Sequence, residues 1–236
     1  MPGQTRRETP TAAVLGWAAY LACSWTWCIG LFLPVLLVRE LGTLGFVIFA
    51  VPNVVGAAMM GTILPSAGVS SQVVRRHRPA LVAFSVVTVA FHLFFAAWML
   101  PRLIGPVGPL IVLALVAVFT GIALRRRDRS DWIAAIVVLA ITAGIALLAL
   151  RNGLDFSWAP SPDPIAVVAL APVCAFGFLL CPYLDLTFHR VRQRTSPVAG
   201  RVAFGVGFGV LFLAEIGRAS CRERVYNSGV ATTVIK

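Results

Sequence analysis

The chain alternates long apolar stretches with short polar connections. The stretches have close to, or more than, the roughly 20 residues that a helix needs to cross the hydrocarbon core of a bilayer. Each of them ends at charge, proline or glycine. The pattern predicts an all-α, polytopic transmembrane helix bundle of about seven spans. The predicted spans are 12–38, 44–64, 80–100, 107–124, 132–150, 165–184 and a seventh that begins at Val202.

Composition narrows the class of protein. Of the 236 residues, 59% are hydrophobic and 12% are charged, whereas about a quarter of the residues in a soluble domain are charged. These values exclude an ordinary soluble domain and a disordered chain. The first apolar stretch, 12–38, is far longer than the roughly 7–15 apolar residues of a signal peptide, so we interpret it as a span.

The arginine positions predict the orientation of the spans, because cytoplasmic connections hold the excess of positive charge. Thirteen arginines lie before span one and in the second, fourth and sixth connections, against three in the other connections. We therefore expect residues 1–11 to form a cytoplasmic N-terminal tail. The thirteen are Arg6, Arg7, Arg75, Arg76, Arg78, Arg125, Arg126, Arg127, Arg129, Arg190, Arg192, Arg194 and Arg201, and the three are Arg39, Arg102 and Arg151.

The net charge of +11 is explained by these clusters, so no nucleic-acid partner is predicted. The basic residues are arginines except for Lys236, a preference that fits a GC-rich genome. Together with the span pattern, it indicates the cytoplasmic (inner) membrane of a bacterium. The expected partners are the lipid bilayer and a small-molecule solute.

Residues 215–236 differ in composition from the rest of the chain. Glu215 and Arg218 place charges inside what would be span seven, where each costs roughly 2.5–3.5 kcal/mol at the helix centre. The segment 216–225 resembles, residue for residue, the translation of a common sequencing adapter. We interpret 215–236 as a non-native tail and 12–214 as an incomplete transmembrane domain whose seventh span is truncated. The alternative is an amphipathic cytoplasmic tail.

Signatures of soluble enzymes and of metal sites are missing from the sequence, which contains no Walker A loop, Gly-x-Ser-x-Gly, His-Glu-x-x-His or Cys-x-x-Cys motif. We therefore expect neither catalysis nor a resident cofactor. The Gly205, Gly207 and Gly209 repeat lacks the strand and turn of a dinucleotide site. We interpret the Gly205/Gly209 spacing as a small-residue face for close helix packing or helix–helix self-association.

Two predicted spans contain helix-breaking residues. Span one has Gly30 and Pro34, and its 27 residues would reach about 40 Å, so it must tilt, kink or partly unwind. Span six has Pro172, Gly177 and Pro182. Because spans one and six lie five apart and run in opposite directions, the pattern is that of an inverted five-helix repeat.

The segment Ser24-Trp-Thr-Trp-Cys-Ile-Gly-Leu-Phe-Leu-Pro34, with broken spans one and six and a cytoplasmic N-terminus, resembles the amino-terminal half of the amino acid–polyamine–cation transporter superfamily, and within it the sodium:solute symporters. The resemblance implies a ten-helix core, of which this chain would hold a part. It also implies Na⁺ or H⁺ as coupling ion and a substrate bound beside the breaks, at Ser24, Trp25, Thr26, Gly30, Cys174 and Gly177.

Span two contains Asn53 directly after Pro52. An amide at this depth needs a partner, and Pro52 frees a backbone carbonyl one turn back. Asn53 either binds this local backbone, while Gly56 and Gly61 pack on a neighbouring helix, or it faces the substrate.

Three ionisable residues are further candidates. His92 lies well inside a span and serves either as a proton relay or ligand, or as a neutral residue bonded to a hydroxyl or carbonyl. Asp185 and His189 are four apart and would share a helix face, as a proton-linked gate or half a metal site. The alternative for Asp185 is a salt bridge with Arg190 or Arg192.

The leading hypothesis is secondary transport of a small solute by alternating access. A second is a membrane-embedded enzyme acting on lipid-like substrates, for which Asp185 and His189 would begin a polar cluster. A third is a non-catalytic membrane subunit that contacts its partners through Gly205 and Gly209.

Overall fold

The computed structural model describes residues 10–26, 30, 32–125, 128–151 and 164–220, and these are helical with no strand. Residues 1–9 of the predicted tail 1–11 lie outside the described residues. The α-helices are α1 Thr11–Thr26, α2 Leu33–Ile63, α3 Ala67–Arg76, α4 Arg78–Ile104, α5 Gly108–Arg125, α6 Asp128–Arg151, α7 Pro164–Leu184, α8 Leu186–Arg194, α9 Pro197–Val206 and α10 Leu213–Ser220. A 3₁₀ turn, Gly105–Val107, precedes α5, and a π-helical turn, Gly207–Phe212, joins α9 to α10.

Four helical stretches of the described chain are long and apolar enough to cross a bilayer, namely Leu33–Ile63, Arg78–Trp98, Pro164–Leu184 and Pro197–Gly217. The prediction of an all-α membrane protein is therefore confirmed. The count of seven spans exceeds these four and stays a prediction, as does the cytoplasmic N-terminus. Of the other predicted spans, 12–38 is divided, because α1 ends at Thr26 and α2 begins at Leu33.

The chain turns sharply within α2 at Gly42, whose φ of 61° and ψ of −149° are not helical. A Cβ on Gly45 would lie 2.2 Å from the carbonyl oxygen of Leu37, although a straight helix would separate residues eight apart by about 12 Å. The helix therefore folds back on itself. The turn lies in the connection predicted between 12–38 and 44–64, and glycine supplies its positive φ without strain.

The core of the bundle lies around α2. This helix packs on α7, α9 and the π-helical turn, while α1 packs on α6, α9 and the same turn. Gly61 lets α9 approach closely, since a Cβ there would lie 3.0 Å from Phe204. The largest fully buried aromatic side chains are those of Trp17, Phe49, Phe188, Phe204, Phe208 and Phe212. By contrast, α4 exposes large apolar side chains such as Val87 and Phe94, as a lipid-facing helix does.

The described parts of the second, fourth and sixth connections meet at one end of the bundle. There α3 packs on α8, and Arg190 of α8 forms an ion pair with Asp131 of α6. Ser66 and Ser196 cap α3 and α9 by accepting hydrogen bonds from backbone N–H groups. We call this region, formed by α3, α8 and the start of α6, the polar end.

The predicted boundary at residue 215 is not a helix boundary. Helix α10 continues across it, and Ile216 is fully buried, so the side chains at 215 and 216 pack as part of the bundle. Residues 221–236 of the predicted non-native tail lie outside the described residues, and the origin of the tail stays a prediction.

Candidate functional site

The interruption of span one lies between α1 and α2, where Gly30 and Phe32 have π-helical conformation. A Cβ on Gly30 would lie 2.5 Å from the Trp25 carbonyl oxygen and 2.8 Å from the Phe212 ring, so only glycine fits there. Residues 27–29 and 31 of the segment that carries the transporter resemblance lie outside the described residues.

The hydroxyls before this interruption are bonded within α1. Ser24 donates to the carbonyl of Leu21 at 2.7 Å, and Thr26 donates to the carbonyl of Ala22. Such bonds satisfy the hydroxyl inside its own helix and often bend the helix. Ser24 and Thr26 thus have partners without a substrate.

A second interruption lies in span seven, at the π-helical turn Gly207–Phe212. A Cβ on Gly207 would lie 2.9 Å from the carbonyl oxygen of Ala18, so the turn packs tightly on α1. A Cβ on Gly205 or Gly209 would meet no atom of the described residues within 4 Å. The glycine that packs on α1 is therefore Gly207, whereas Gly205 and Gly209 meet no described neighbour, and self-association through Gly205/Gly209 stays a prediction.

Span six does not contain the break that the sequence predicted. Helix α7 runs without interruption from Pro164 to Leu184 and contains both Pro172 and Pro182. A proline removes one backbone hydrogen bond, which a helix packed among others can tolerate. The two interruptions that contact each other lie in spans one and seven, through Gly30 and Phe212.

Asn53 lies at the centre of the buried face of α2. The Phe49 ring one turn before it contacts Phe178 of α7 edge-on at 4.9 Å, and a Cβ on Gly56 would lie 2.7 Å from the Phe178 carbonyl oxygen. Asn53 therefore lies level with Phe178. Cys174, one turn before Phe178, is also buried, whereas a Cβ on Gly177 would meet no described atom within 4 Å.

The amide of Asn53 is fully buried, and neither its nitrogen nor its oxygen has a hydrogen-bond partner among the described residues. The expected bond to the backbone carbonyl freed by Pro52 is not formed. Most buried polar groups in proteins are paired, so this side chain is unusual; among the described residues the indole Nε1 of Trp132 is also buried without a partner.

Along the helix axes, Asn53 also lies at about the same depth in the bundle as the two interruptions. Gly61 of α2 contacts Phe204 of α9, and the residues after Phe204 continue along α2 in the opposite direction, because the π-helical turn and α10 also pack on it. Asn53 precedes Gly61 by as many residues as Phe212 follows Phe204. At about 1.5 Å per residue, Asn53 lies about 12 Å from that contact, and Phe212, reached through the π-helical turn, lies at a similar distance. We call Gly30, Asn53, Cys174, Phe178 and Phe212 the Asn53 layer.

At the polar end, Trp25 and Asp185 are hydrogen-bonded. The indole Nε1 of Trp25 donates to Asp185 Oδ2 at 2.8 Å, while Asp185 Oδ1 accepts from the backbone N–H of Thr187 at 2.8 Å. Asp185 thus caps α8 and holds the end of α1. The expected salt bridge from Arg190 to Asp185 is not formed, because Arg190 pairs with Asp131.

His189 is fixed by two hydrogen bonds. Its Nε2 lies 2.9 Å from the carbonyl oxygen of Tyr183, which can only accept, so Nε2 carries the proton and Nδ1 accepts from the Ser70 hydroxyl at 3.0 Å. Burial lowers the pKa of His189, and the Tyr183 hydrogen bond and the charge of Asp185 oppose this effect. The side chains of Asp185 and His189 bond to different partners, while the His189 backbone N–H donates to the Asp185 carbonyl, and the proton-linked gate or half metal site stays a prediction.

Arg192 is a buried residue that the sequence interpretation treated as a topology signal and as a possible salt-bridge partner of Asp185. Its guanidinium donates to the carbonyls of Leu64 at 2.6 Å, Pro65 at 2.8 Å, Thr195 at 3.1 Å and Ser196 at 3.0 Å. It therefore ties the end of α2 to the start of α9. The apolar spacing of Phe188 and Val191 on α8 already indicated that Arg192 shares the buried face.

His92 lies on α4, a helix that supplies no residue of the Asn53 layer. Its Nδ1 donates to the carbonyl oxygen of Thr88 in the same helix. This bond lies within one helix and not across a helix interface, and both the proton-relay hypothesis and the structural alternative stay predictions.

These features define a helical integral membrane protein with a buried polar amide beside two interrupted helices. Comparison of the chain with protein-family models, curated proteins and solved structures finds no match.

Proposed function

We propose that the chain is part of a secondary transporter that moves a small solute across a bacterial cytoplasmic membrane by alternating access. The observation that supports this function is the contact between two interrupted helices, at Gly30 and Phe212. Interrupted helices leave backbone polar groups that can line a solute site inside a bundle, and π-helical turns are frequent at functional sites. The transporter resemblance of the segment around Gly30 points to the same function.

Transport is tested by reconstituting the full chain in proteoliposomes and measuring uptake of radiolabelled small solutes under a Na⁺ or H⁺ gradient. We expect gradient-driven accumulation. Gly30→Ala should reduce its rate at least tenfold, because the new methyl would push apart the Trp25 carbonyl and the Phe212 ring. Gly209→Ala, which meets no described neighbour, is the matched control. Equal uptake by Gly30→Ala and Gly209→Ala would contradict the proposal.

The proposed topology has seven spans and a cytoplasmic N-terminus. The meeting of α3, α8 and the start of α6 at the polar end supports it, since the arginines of those connections then lie on one side of the membrane. Gln72 on α3 is exposed at that end, and Glu40 is exposed beside the Gly42 turn. In intact cells, a membrane-impermeant maleimide should label Glu40→Cys and not Gln72→Cys, with the reverse in inverted vesicles. The opposite pattern would contradict the orientation.

A further inference from the structure

We propose that the Asn53 layer is a binding site for a small uncharged polar solute, which the Asn53 amide holds by donating one hydrogen bond and accepting another. This inference deepens the proposed function, on which it rests, by naming the chemical class of the solute. It is carried by an amide that is fully buried in the core and has both polar atoms unpaired among the described residues.

An unpaired amide in this position costs free energy, because neither water nor lipid chains replace its lost hydrogen bonds. Leucine or methionine would fill the same space without that cost. A ligand that pairs with both amide atoms removes the cost when it binds. The layer is therefore suited to a molecule with a complementary donor and acceptor, such as another amide.

The surroundings of Asn53 select against a charged ligand. The layer consists of two phenylalanine rings, a thiol and a glycine beside the amide, and its members Cys174, Phe178 and Phe212 are buried. The four segments that supply these residues, 21–38, 41–64, 165–184 and 202–214, contain no Asp, Glu, Lys, Arg or His. An ion placed there would lose its hydration, which is strongly unfavourable in a low-dielectric interior, and an anion would in addition be repelled by the buried Glu215, one turn after Phe212.

Two contacts connect ligand binding to the interrupted helices. Phe212 belongs both to the layer and to the π-helical turn, and its ring lies against Gly30. A ligand bound to Asn53 at the depth of this ring can therefore change the packing between spans one and seven. This is the differential contact that an alternating-access mechanism needs from its substrate.

The test uses thiosulfonate reagents of similar size and different charge on the chain of 236 residues with its native cysteines replaced by serine or alanine. A cysteine is placed at Ala57, one turn from Asn53 and fully buried. We expect the uncharged 2-hydroxyethyl reagent to label Ala57→Cys at least tenfold faster than the sulfonatoethyl and trimethylammonioethyl reagents do. Gln72→Cys, exposed at the polar end, should react with all three.

Acetamide is the probe for the amide itself. Saturating acetamide should slow the labelling of Ala57→Cys at least threefold, acetate should not, and the additional substitution Asn53→Leu should abolish the protection. Asn53→Cys, labelled in the same way, is the second variant if Ala57→Cys does not fold.

Three results would overturn the inference: no labelling of either buried cysteine, equal labelling by charged and uncharged reagents, or protection that survives Asn53→Leu. The proposed function fails separately, through the uptake of Gly30→Ala, because the labelling experiment does not depend on transport.

Discussion

Single polar residues at the polar end have structural roles that depend on burial. Arg192 is fully buried and donates to backbone carbonyls at the end of α2 and the start of α9. Its planar guanidinium spreads five N–H donors over three nitrogens, whereas the ammonium of a lysine has three donors on one nitrogen and would reach fewer of these carbonyls. Asp185 and His189 are likewise satisfied by Trp25, Thr187, Ser70 and Tyr183.

Arg192→Met should lower the free energy of unfolding by about 1–3 kcal/mol, because it leaves buried carbonyls without donors. Arg192→Lys should recover only part of this loss. The measurement is thermal unfolding of the purified protein in detergent, and Arg194→Met, at an exposed position on the same helix, is the control. Equal midpoints for Arg192→Met and Arg194→Met would contradict the role of Arg192.

The pKa of His189 predicts a dependence of stability on pH. Burial holds the pKa of folded His189 below its ordinary value of 6.5. The unfolded chain therefore binds a proton first as the pH falls through 6.5, and stability is lost between that pH and the lower pKa of the folded state. Asp185 and Tyr183 lie near this ring, and His77 contacts the Tyr183 ring, so the variant must change His189 alone.

We expect the midpoint temperature of thermal unfolding to decrease as the pH is lowered from about 7.5 to about 5, a window that spans the ordinary histidine pKa. It should fall less in His189→Gln, whose amide can still donate to the Tyr183 carbonyl. Parallel curves for the two proteins, measured in the same detergent, would show that His189 does not cause the dependence.

At the scale of elements, close helix contacts are decided by individual glycines and caps. Gly207 brings the π-helical turn of span seven against Ala18 of α1, while a Cβ on Gly209 of the same turn would meet no described atom within 4 Å. The two glycines are two residues apart in the same turn. The same substitution at each position therefore compares two sites that have similar backbone structure and different packing.

Gly207→Ala should therefore destabilise the protein by about 1–3 kcal/mol, since the methyl would press on the backbone of α1. Gly209→Ala should be neutral or slightly stabilising, because alanine favours helix more than glycine does. Both are measured by thermal unfolding in detergent. A larger loss of stability for Gly209→Ala than for Gly207→Ala would show that the contact with α1 is not through Gly207.

The junction between α7 and α8 offers a second test at this scale. Asp185→Ala should cost about 1 kcal/mol, because the capping bond to Thr187 is lost, together with the bond from Trp25. Asp185→Asn keeps one acceptor oxygen, which can retain the capping bond to Thr187 or the bond from Trp25 but not both, so it should cost less than Asp185→Ala. A double-mutant cycle with Trp25→Phe should give a coupling of about 0.5–1.5 kcal/mol. Strict additivity would mean that the bond between Trp25 and Asp185 does not contribute.

At the scale of the whole molecule, the apolar outer surface requires a bilayer. Val87 on α4 is 67% exposed in the chain alone, and the surrounding stretch Arg78–Trp98 is one of the four candidate spans. A carboxylate at this position would face lipid chains, where its desolvation is not compensated.

Val87→Asp should accordingly reduce the amount of membrane-integrated protein, at a cost of about 2.5–3.5 kcal/mol if the site lies near the bilayer centre. Gln72→Asp on α3 should leave it unchanged. The fraction that resists carbonate extraction from membranes is the readout, and equal fractions for the two variants would argue against α4 as a lipid-facing span.

Much of the fold follows from patterns that the sequence contains. The apolar stretches predict helices and a membrane environment, and the connection near Gly42 lies where the chain turns. The Asn53 amide was also identifiable, since a polar residue in an apolar stretch is conspicuous. The Trp25–Asp185 bond and the contact of Gly30 with Phe212 were not, because they join residues far apart in the chain, and proline alone does not reveal which helix is interrupted.

The sequence by itself determined that the chain is helical and apolar, because helix length and hydropathy are local properties that each stretch carries independently. Only the tertiary structure decided which polar groups are satisfied. Arg192 and Asn53 both appear as polar residues in the sequence, yet the first meets four carbonyl groups and the second meets no partner among the described residues. That difference depends on how neighbouring helices pack, and packing is a property of the assembled bundle.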